Sequence, residues 1–536
     1  MGVWSFIMGA VMLLLILVAI FFLLYCGYIY YMHMKYDHIP GPPRDSFLFG
    51  HSPTIIKQMR NNLIVYDTFL EWVERYGPVI RFNGLHNVKV LVVSPEGVKV
   101  YVAPQGPVRH SDIAFLTGRV ILRLEARKDN FQQEFLMSPK YTKDPFYKQI
   151  ENLFGTRFMG TGLVTDRDYE HWHKQRRIMD PAFSRTYLKG LMGTFNEKAE
   201  DLVDKLGDKA DGKCHVGMHD MLSRLTLDVI AKVAFGMELN SLDDDQTPFP
   251  RAISTVMKGM VETRNPLTMY TPGKQAFIRD VKENIKLLRK TGQECIKRRM
   301  KAIQDGEDIP VDILTQILKG AELEDGCSQE DLIDNFVTFF IAGQETTANQ
   351  LSFVVMELAR NPEILARVQA EVDEVFGSKR DIEYEDLGKL QYLSQVLKEA
   401  LRLYPTAPGT SRILEEEMVI EGVRIPPRTT LMFNSYIMGR MEKFYQEPLV
   451  FNPDRFHPDA PKPGYAYFPF SLGPRSCIGQ VFAQMEAKVV MAKLLQRFEF
   501  ELVEGQSFRI LDTGTLRPFD GAICRLRPRE EHKYKK

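Results

Sequence analysis

The amino-terminal segment constrains the fold of this chain most strongly. Residues Met1 to Met34 contain no Asp, Glu, Lys or Arg, and the run "VWSFIMGAVMLLLILVAIFFLLYCGYIYYM" is apolar almost throughout. Inside a bilayer the backbone must satisfy its own hydrogen bonds, so a single span has to be a helix, and about 20 residues cross a hydrocarbon core of about 30 Å. Residues 1–34 are therefore predicted to be a transmembrane anchor.

A cleaved signal peptide is the alternative for this segment. Signal peptides have a basic start, a shorter apolar core and a small-residue cleavage site, whereas this segment lacks the basic start and keeps bulky residues to its end. The first charges, Lys35 and Arg44, follow the span, which favours a cytosolic location for the remaining chain. Residues 35–47, with "HIPGPPR", predict a stiff proline-rich hinge.

Residues 48–536 are expected to form one mainly helical body. Apolar residues recur at helical spacing in five stretches: Phe195 to Leu206, Met221 to Ala234, Val281 to Ile303, Asp331 to Arg360 and Gln391 to Tyr404. Alternating residues predict a hairpin within Tyr76 to Lys99 and a second β-rich patch within Met418 to Met438. A formal net charge of +0 gives no sign of a nucleic-acid partner, and six scattered cysteines without a CxxC pair argue against a disulfide framework.

One cysteine stands in a glycine-punctuated loop, "FPFSLGPRSCIGQ", just before an apolar-periodic run. Gly473 and Gly479 allow positive φ or close backbone approach, and Pro474 stiffens the turn. The run that follows places Cys477 near a helix amino terminus, where free N–H groups and the helix dipole favour a thiolate. The cysteine is either a metal ligand or an inert buried thiol, and the loop alone does not decide between them.

A second group of polar residues lies inside the helical stretch that contains "FFIAGQETTANQ". Glu345 and Thr346 are an acid and an alcohol in mid-helix, next to a glycine and preceded by apolar residues. Such a pair suits proton delivery in a dry pocket, although a polar face turned to solvent would read the same way.

Two further pairs have helical spacing. Glu399 and Arg402 in "KEALRLYP" are three residues apart, which on its own is more typical of a surface salt bridge. Trp172 and Arg176 in "WHKQRR" are one turn apart, in a cluster whose Lys174 and Arg177 are expected to form a solvated basic face.

Together, Phe470, Gly473, Arg475, Cys477 and Gly479 form F-x-x-G-x-R-x-C-x-G, which resembles the haem-binding loop of the cytochrome P450 family. The resemblance implies a mainly α fold with small β-sheets, a triangular helical prism around haem b. It also implies that Cys477 is the axial iron ligand, that Phe470 packs on the sulfur side, and that Arg475 contacts a propionate. An anionic sulfur pushes electron density onto iron and favours O–O cleavage.

The other motifs resemble the same family and extend the implied site. The stretch from Ala342 resembles A-G-x-E-T-T, so Thr346 would hydrogen-bond the activated oxygen, Glu345 would relay protons, and Ala342 with Gly343 would leave room over the iron. Propionate contacts are implied for Trp172 and Arg176, one helical turn apart, and for the distant Arg412. A buried structural triad is implied for Glu399, Arg402 and the later Arg455 of "FNPDRF".

The resemblance also implies an activity, the insertion of one oxygen atom from O2 into a sterol side chain. It covers stretches such as "DNFVTFFIAGQETTANQLSFVVMELAR" and "AQMEAKVVMAKLLQRFEFELV". Electrons would come from NADPH through cytochrome P450 reductase, an acidic partner that the basic face would suit, and the sequence has no Rossmann fingerprint of its own. The implied location is the endoplasmic reticulum membrane, with one span and a cytosolic catalytic domain.

Two departures from the family pattern bear on these expectations. The pocket-lining segment "PTAPGTSR" has Pro408 and Ser411 where aromatic residues are expected in a sterol side-chain hydroxylase of this type. In addition, Val100 to Gln132 interrupts the pattern, and its ends can be coded as splice-donor-like and splice-acceptor-like sequences. We hypothesise a translated in-frame intron; a genuine surface insertion is the alternative.

Other functional classes stay open at the level of sequence. The same chemistry could serve another steroid, a fatty acid or a xenobiotic. A haem-thiolate isomerase or binding protein would not hydroxylate at all, although it would have little use for Glu345 and Thr346. Furthest off is a membrane scaffold without haem, in which Cys477 is a plain core thiol.

Overall fold

The structure is a computed structural model that describes residues 2–95, 136, 138, 141–265, 267–323, 327–377, 379–461 and 464–529. The segment Val100 to Gln132, predicted to be an insertion or a retained intron, lies outside these residues. Two compact units are present: Met1–Tyr141 with Gly409–Met438, and Thr142–Pro408 with Gly439–Lys536. A single catalytic domain over residues 48–536 stays a prediction.

Helices make up most of the regular structure. In chain order the described α-helices are α1 (Gly2–Tyr36), α2 (Ser52–Arg60), α3 (Val65–Tyr76), α4 (Tyr147–Glu151), α5 (Tyr169–Met179), α6 (Arg185–Lys189), α7 (Met192–Gly207), α8 (Met218–Phe235), α9 (Phe249–Glu262), α10 (Gln275–Gln304), α11 (Ile313–Leu323), α12 (Gln329–Arg360), α13 (Pro362–Phe376), α14 (Gln391–Leu403), α15 (Ser435–Met438) and α16 (Gln480–Arg497). Short 3-10 helices cover Asp180–Phe183, Thr268–Tyr270, Tyr384–Gly388, Pro453–Phe456 and Gly464–Ala466. The five predicted helical stretches lie within α7, α8, α10, α12 and α14, except that Tyr404 is one residue past the end of α14; α10 begins six residues before its predicted start.

The β-structure is confined to small sheets. Its strands are β1 (Val79–Gly84), β2 (Asn87–Val92), β3 (Asn152–Leu153), β4 (Thr156–Arg157), β5 (Val216–Gly217), β6 (Gly409–Ile413), β7 (Met418–Ile420), β8 (Val423–Ile425), β9 (Thr430–Asn434), β10 (Phe498–Leu502), β11 (Ile510–Asp512), β12 (Leu516–Pro518) and β13 (Ile523–Pro528). The first unit holds the sheet β1-β2-β9-β6, in which only β2 and β9 run parallel, and the hairpin β7-β8. The second holds β10-β13-β5, β11-β12 and β3-β4. The mainly α class with small sheets, the β1-β2 hairpin and the second β-rich patch are confirmed.

In the first unit, α1 is both the membrane-span candidate and a packed element. Residues 6–24 are all exposed, as the apolar face of an anchor should be. Beyond them, Tyr25 Oη lies 2.9 Å from His86 Nδ1, and His33 Nε2 lies 3.0 Å from the Leu85 carbonyl oxygen in the β1-β2 turn. The exposed portion of about 20 residues already matches a bilayer core of about 30 Å. The helix ends at Tyr36, two residues past the predicted boundary at 34. The part of α1 that follows the exposed portion packs on the β1-β2 hairpin.

In the second unit, α12 forms the centre of the core. Ser328 caps it: the Asp331 N–H donates to Ser328 Oγ (3.2 Å) and the Ser328 N–H donates to the Asp331 carboxylate (2.9 Å). Such a capping box stabilises a helix start by about 1 kcal/mol. Phe235 of α8 and Phe336 of α12 pack at a tilt of 40° with ring centroids 4.1 Å apart, part of an aromatic cluster along the contact between these helices.

Candidate active site

An accessible patch interrupts the buried helix α12 at its middle. Between Asp331 and Leu358 every residue is buried except four, which are Ala342, Gly343, Glu345 and Thr346. Buried residues flank this patch on both sides, so its partial exposure sets the middle of α12 apart from the rest of the helix. The predicted acid–alcohol pair belongs to this patch, so the alternative of a solvent-facing polar stripe does not describe α12.

The small residues of this motif have different roles in the backbone. Thr346 Oγ1 donates to the Ala342 carbonyl oxygen one turn earlier (2.8 Å), which anchors the hydroxyl at the patch. At Gly343, a Cβ would lie 2.7 Å from Ile230 Cδ1 of α8. The glycine therefore permits the close approach of α8 and α12, a packing role that the sequence analysis did not assign to it.

The Glu345 carboxyl group is held by a residue from the far end of the chain. Thr515, in the turn between β11 and β12, donates through Oγ1 to Glu345 Oε2 (3.2 Å). Burial raises the pKa of Glu345, and the Thr515 hydrogen bond and the positive charge of Arg517 act in the opposite direction. A carboxyl group with a raised pKa can exchange a proton closer to neutral pH than a solvated one.

The cysteine loop is a compact turn closed by its own backbone. The Cys477 N–H donates to the Phe470 carbonyl oxygen (2.9 Å) and the Ser476 N–H to the Gly473 carbonyl oxygen (2.9 Å). Gly473 has a φ of +74°, as expected for a glycine that turns the chain. Gly479 caps α16 with a φ of −83°, so it needs no left-handed conformation; a Cβ there would lie 3.9 Å from Cys477 Sγ.

The sulfur of Cys477 is accessible and yet surrounded by protein. The side chain is exposed, but burial raises the pKa of its thiol; the Gly479 N–H and the charge of Arg176 lower it by less. Desolvation therefore opposes the thiolate that the helix start was expected to favour, and the role of Cys477 as a ligand stays a prediction. A cation beside the sulfur would favour the thiolate, because a nearby opposite charge stabilises the charged form.

Two arginines and a tryptophan surround this loop. The Arg475 guanidinium lies 4.3 Å from the centroid of the buried Trp172 ring and donates to the Asp166 carbonyl oxygen (2.7 Å). Arg176 donates through Nη1 to the Ser476 carbonyl oxygen (2.7 Å) and through Nε to Asp180 (2.6 Å). The structure thus joins α5 to the cysteine loop across 300 residues of sequence. On the same helix Lys174 and Arg177 are exposed, as predicted for a basic face.

The pair Glu399 and Arg402 is fully buried, with 0% exposure of both side chains. Arg402 contacts both carboxylate oxygens at 2.7 Å and also donates to the Pro448 and Val450 carbonyl oxygens. Arg455 Nε reaches Glu399 Oε1 at 3.3 Å. The three side chains form one cluster, so a surface salt bridge does not describe them.

Arg412 belongs to the first unit, on strand β6. It is buried, and Nη1 donates to Thr410 Oγ1 (2.8 Å) and to the Ser411 carbonyl oxygen (2.9 Å). Its predicted contact with a propionate stays a prediction.

The chemistry of the second unit fits a haem group. No set of three or more His, Cys, Asp and Glu side chains that could hold a metal lies within the described ranges. A metal at Cys477 would therefore have to bring most of its ligands with it, as iron in a macrocycle does. Arg475, Arg176 and the Trp172 indole lie beside the loop and supply N–H donors of the kind that carboxylates bind.

Sequence reasoning missed Thr515 and Asn349, whose side chains hydrogen-bond Glu345, and His219, which contacts Glu345 through Asn349. Asn349 donates to Thr515 Oγ1 (2.9 Å), and His219 Nε2 lies 2.9 Å from Asn349 Oδ1. Asn349 carries a weak signal, because it lies one turn after Glu345 on the same helix. His219 and Thr515 are distant in sequence, and nothing in their local pattern pointed to the site.

Comparison with known proteins defines the family of this chain. The cytochrome P450 family model matches residues 128–523. The chain is 31% identical over 427 residues to cytochrome P450 4d2 of Drosophila melanogaster, covering 74% of this chain and 82% of that protein. It is 31% identical over 414 residues to cytochrome P450 4V2 of Mus musculus (72% and 78%), and 29% over 419 residues to cytochrome P450 3A12 of Canis lupus familiaris (74% and 82%).

The chain belongs to the cytochrome P450 family. Membership supports a haem-dependent monooxygenase, and α1 fits the single-pass anchor of the membrane-bound members of that family.

Proposed function

We propose that this protein is a membrane-anchored haem-thiolate monooxygenase that inserts one oxygen atom from O2 into the side chain of a sterol, in the manner of cholesterol 24-hydroxylase. The overall reaction consumes NADPH, a proton and O2, and yields the alcohol, water and NADP+. One observation carries the proposal: the side chain of Cys477 is exposed, on a loop that Arg176 holds from α5 through the Ser476 carbonyl oxygen.

Several residues would bind and orient the cofactor, haem b, which supplies oxygen activation when bound. Cys477 would be its axial ligand, with Phe470, Gly473 and Gly479 shaping the loop behind the sulfur. Propionate groups would be bound by Arg475, Trp172 and Arg176. The cluster of Glu399, Arg402 and Arg455 would have a structural role, because its members are occupied by one another and by backbone carbonyl groups.

The patch on α12 would manage protons. Thr346 can rotate its hydroxyl away from the Ala342 carbonyl oxygen to donate into the cavity. Glu345, with its raised pKa, would replace the proton that Thr346 passes on. Ala342 and Gly343 would leave room for the haem group and substrate beside this pair. Gly343 also allows α12 to pack closely against Ile230.

A sterol is the substrate class that we favour. The stretches that surround the α12 motif and α16 support it by resemblance to sterol side-chain hydroxylases, and an anchored enzyme gives a membrane-dissolved sterol a short route to the pocket. The segment "PTAPGTSR" limits the likeness, because it lacks the aromatic residues expected there, and Pro408 and Ser411 would open or reshape the cavity. We therefore infer that the protein hydroxylates a sterol side chain, with cholesterol as the first candidate substrate, and that its substrate cavity differs in shape from that of cholesterol 24-hydroxylase.

The redox partner and the cellular location are inferred from the same family resemblance. Electrons would come from NADPH through cytochrome P450 reductase, whose acidic docking face would meet the exposed Lys174 and Arg177. The anchor α1 would lie in the endoplasmic reticulum membrane, with the catalytic domain in the cytosol.

Sterol binding and turnover test this proposal together. The full chain in lipid is titrated with a panel of sterols, fatty acids and xenobiotics while the haem spectrum is recorded, and products formed with reductase and NADPH are identified by mass spectrometry. The expected result is a substrate-induced spectral shift with cholesterol or a close sterol and a side-chain alcohol as product. Turnover of fatty acids alone would replace the sterol by the alternative substrate class, and binding without NADPH-dependent product would indicate an isomerase or binding protein.

A further inference from the structure

A row of hydrogen bonds leads from α8 to the Glu345 carboxyl group. Arg517 Nη1 lies 3.5 Å from His219 Nδ1, and His219 Nε2 lies 2.9 Å from Asn349 Oδ1. Asn349 Nδ2 then donates to Thr515 Oγ1 (2.9 Å), and Thr515 Oγ1 donates to Glu345 Oε2 (3.2 Å). Three separate elements, α8, α12 and β12 with its preceding turn, meet in this row.

The donors in this row all point the same way. Arg517 can only donate, so His219 Nδ1 has to accept, and the imidazole proton is then on Nε2. That proton is donated to Asn349 Oδ1, which leaves the amide N–H groups for Thr515. Since Thr515 Oγ1 accepts from Asn349, its own proton is free to point at Glu345.

We propose that Thr515, Asn349 and His219 are positioning residues for Glu345: they hold one carboxylate oxygen in a fixed place and stabilise its charged form. The inference rests on the proposed function for its meaning in catalysis. Its physical content, a directed hydrogen-bond row that ends on a buried carboxylate, is independent of turnover.

The charges around Glu345 agree with this assignment. Arg517 on β12 is the positive group, and His219 with the exposed Asp220 comes from the start of α8. Glu486 of α16 contacts Thr347, two residues from Glu345 and about 200° around the helix, on a different side. Burial and the charge of Arg517 lower the pKa of His219 to about 4, so it is neutral near pH 7, as the row requires.

Thr515→Val tests the proposal because valine keeps the shape and removes the hydroxyl. The protonated Glu345 carboxyl is followed by infrared difference spectroscopy during a pH titration of the full chain with haem, and Glu345→Gln identifies the band. Loss of a hydrogen bond to a charged group should raise the pKa of Glu345 by about one unit. Thr515→Ser should restore the wild-type titration. Thr513→Val, on the same turn but bonded only to the Thr515 backbone carbonyl oxygen, should leave it unchanged.

A second variant keeps the test decisive if Thr515→Val folds poorly. Asn349→Leu removes the donor that orients Thr515 and should shift the titration in the same direction, together with more NADPH consumed per product. An unshifted Glu345 titration in either folded variant overturns the proposal. A missing thiolate-type spectrum in the wild type would instead refute the proposed function, without changing what the infrared titration reports.

Discussion

Replacing Arg402 with methionine should destabilise the second unit far more than replacing a surface arginine. The change leaves the Glu399 carboxylate at 0% exposure with Arg455 at 3.3 Å and the Asn452 N–H at 2.8 Å as its remaining partners. It also removes the donor to the carbonyl oxygens of Pro448 and Val450. Removal of one partner of a buried pair costs about 3–5 kcal/mol, and because Arg455 remains, we expect about 3 kcal/mol.

This free energy converts into a modest but measurable thermal shift. Unfolding entropy is about 2.1 cal/mol/K per residue, so the 500 residues that follow α1 unfold with about 1 kcal/mol/K. The Arg402→Met variant should therefore lose about 3 °C in its apparent midpoint. The assay is thermal unfolding of the haem-loaded protein in lipid, followed by circular dichroism at one fixed scan rate.

The chain offers a matched control in Arg527→Met. Arg527 also pairs with a glutamate of the second unit, Glu501 at 3.2 Å, but both side chains are exposed (65% and 53%). Exposed pairs contribute less than about 1 kcal/mol, so this shift should be under 1 °C. The double variant Glu399→Leu with Arg402→Met should recover part of the loss. Equal shifts for Arg402→Met and Arg527→Met, or a double variant that loses the sum of its parts, would refute the reasoning.

Four further outcomes are expected. Thr346→Ala should keep the haem spectrum but uncouple NADPH oxidation from product, while Thr346→Ser stays coupled; full coupling of the alanine variant would contradict the proton role. Gly343→Val should lower the midpoint by about 1–3 °C, since overpacking costs about 1–3 kcal/mol, and an added Ile230→Ala should recover part of it; no recovery would mean another cause. Arg176→Leu should reduce haem retention in a dilution assay, unlike Arg177→Leu, and equal retention would contradict propionate binding. Transcripts across the codons for Val100 to Gln132 should mostly lack them, and reads that mostly retain them would refute the intron hypothesis.

Local patterns predicted the elements well because their causes are local. The α12 helix has apolar spacing over its whole length and a Ser328 cap with Asp331 three residues later, so its bounds follow from neighbouring residues. The hairpin β1-β2 follows equally from alternation and a short turn. The extension of α1 to Tyr36 was missed, because packing of Tyr25 and His33 on the β1-β2 turn depends on residues far along the chain.

The site was predictable only where a motif carried long-range information. Spacing alone could not place Arg176 beside the cysteine loop, whereas the family resemblance implied that both belong to one haem site. Residue spacing also could not show that Gly343 packs against Ile230. Nor could it show that burial raises the pKa of the Cys477 thiol by more than the helix start lowers it, because both effects depend on atoms from other elements. Thr515 and His219 carry no local signal because their partners lie more than a hundred residues away.

The ferrous–carbon monoxide spectrum of the full-length protein in lipid tests the central claim most directly. The account predicts a red-shifted Soret band of the thiolate type in the wild type, and its loss in Cys477→Ala at unchanged circular dichroism. A correctly folded wild type without that band, or a Cys477→Ala variant that retains it, would contradict the assignment of Cys477 as the iron ligand.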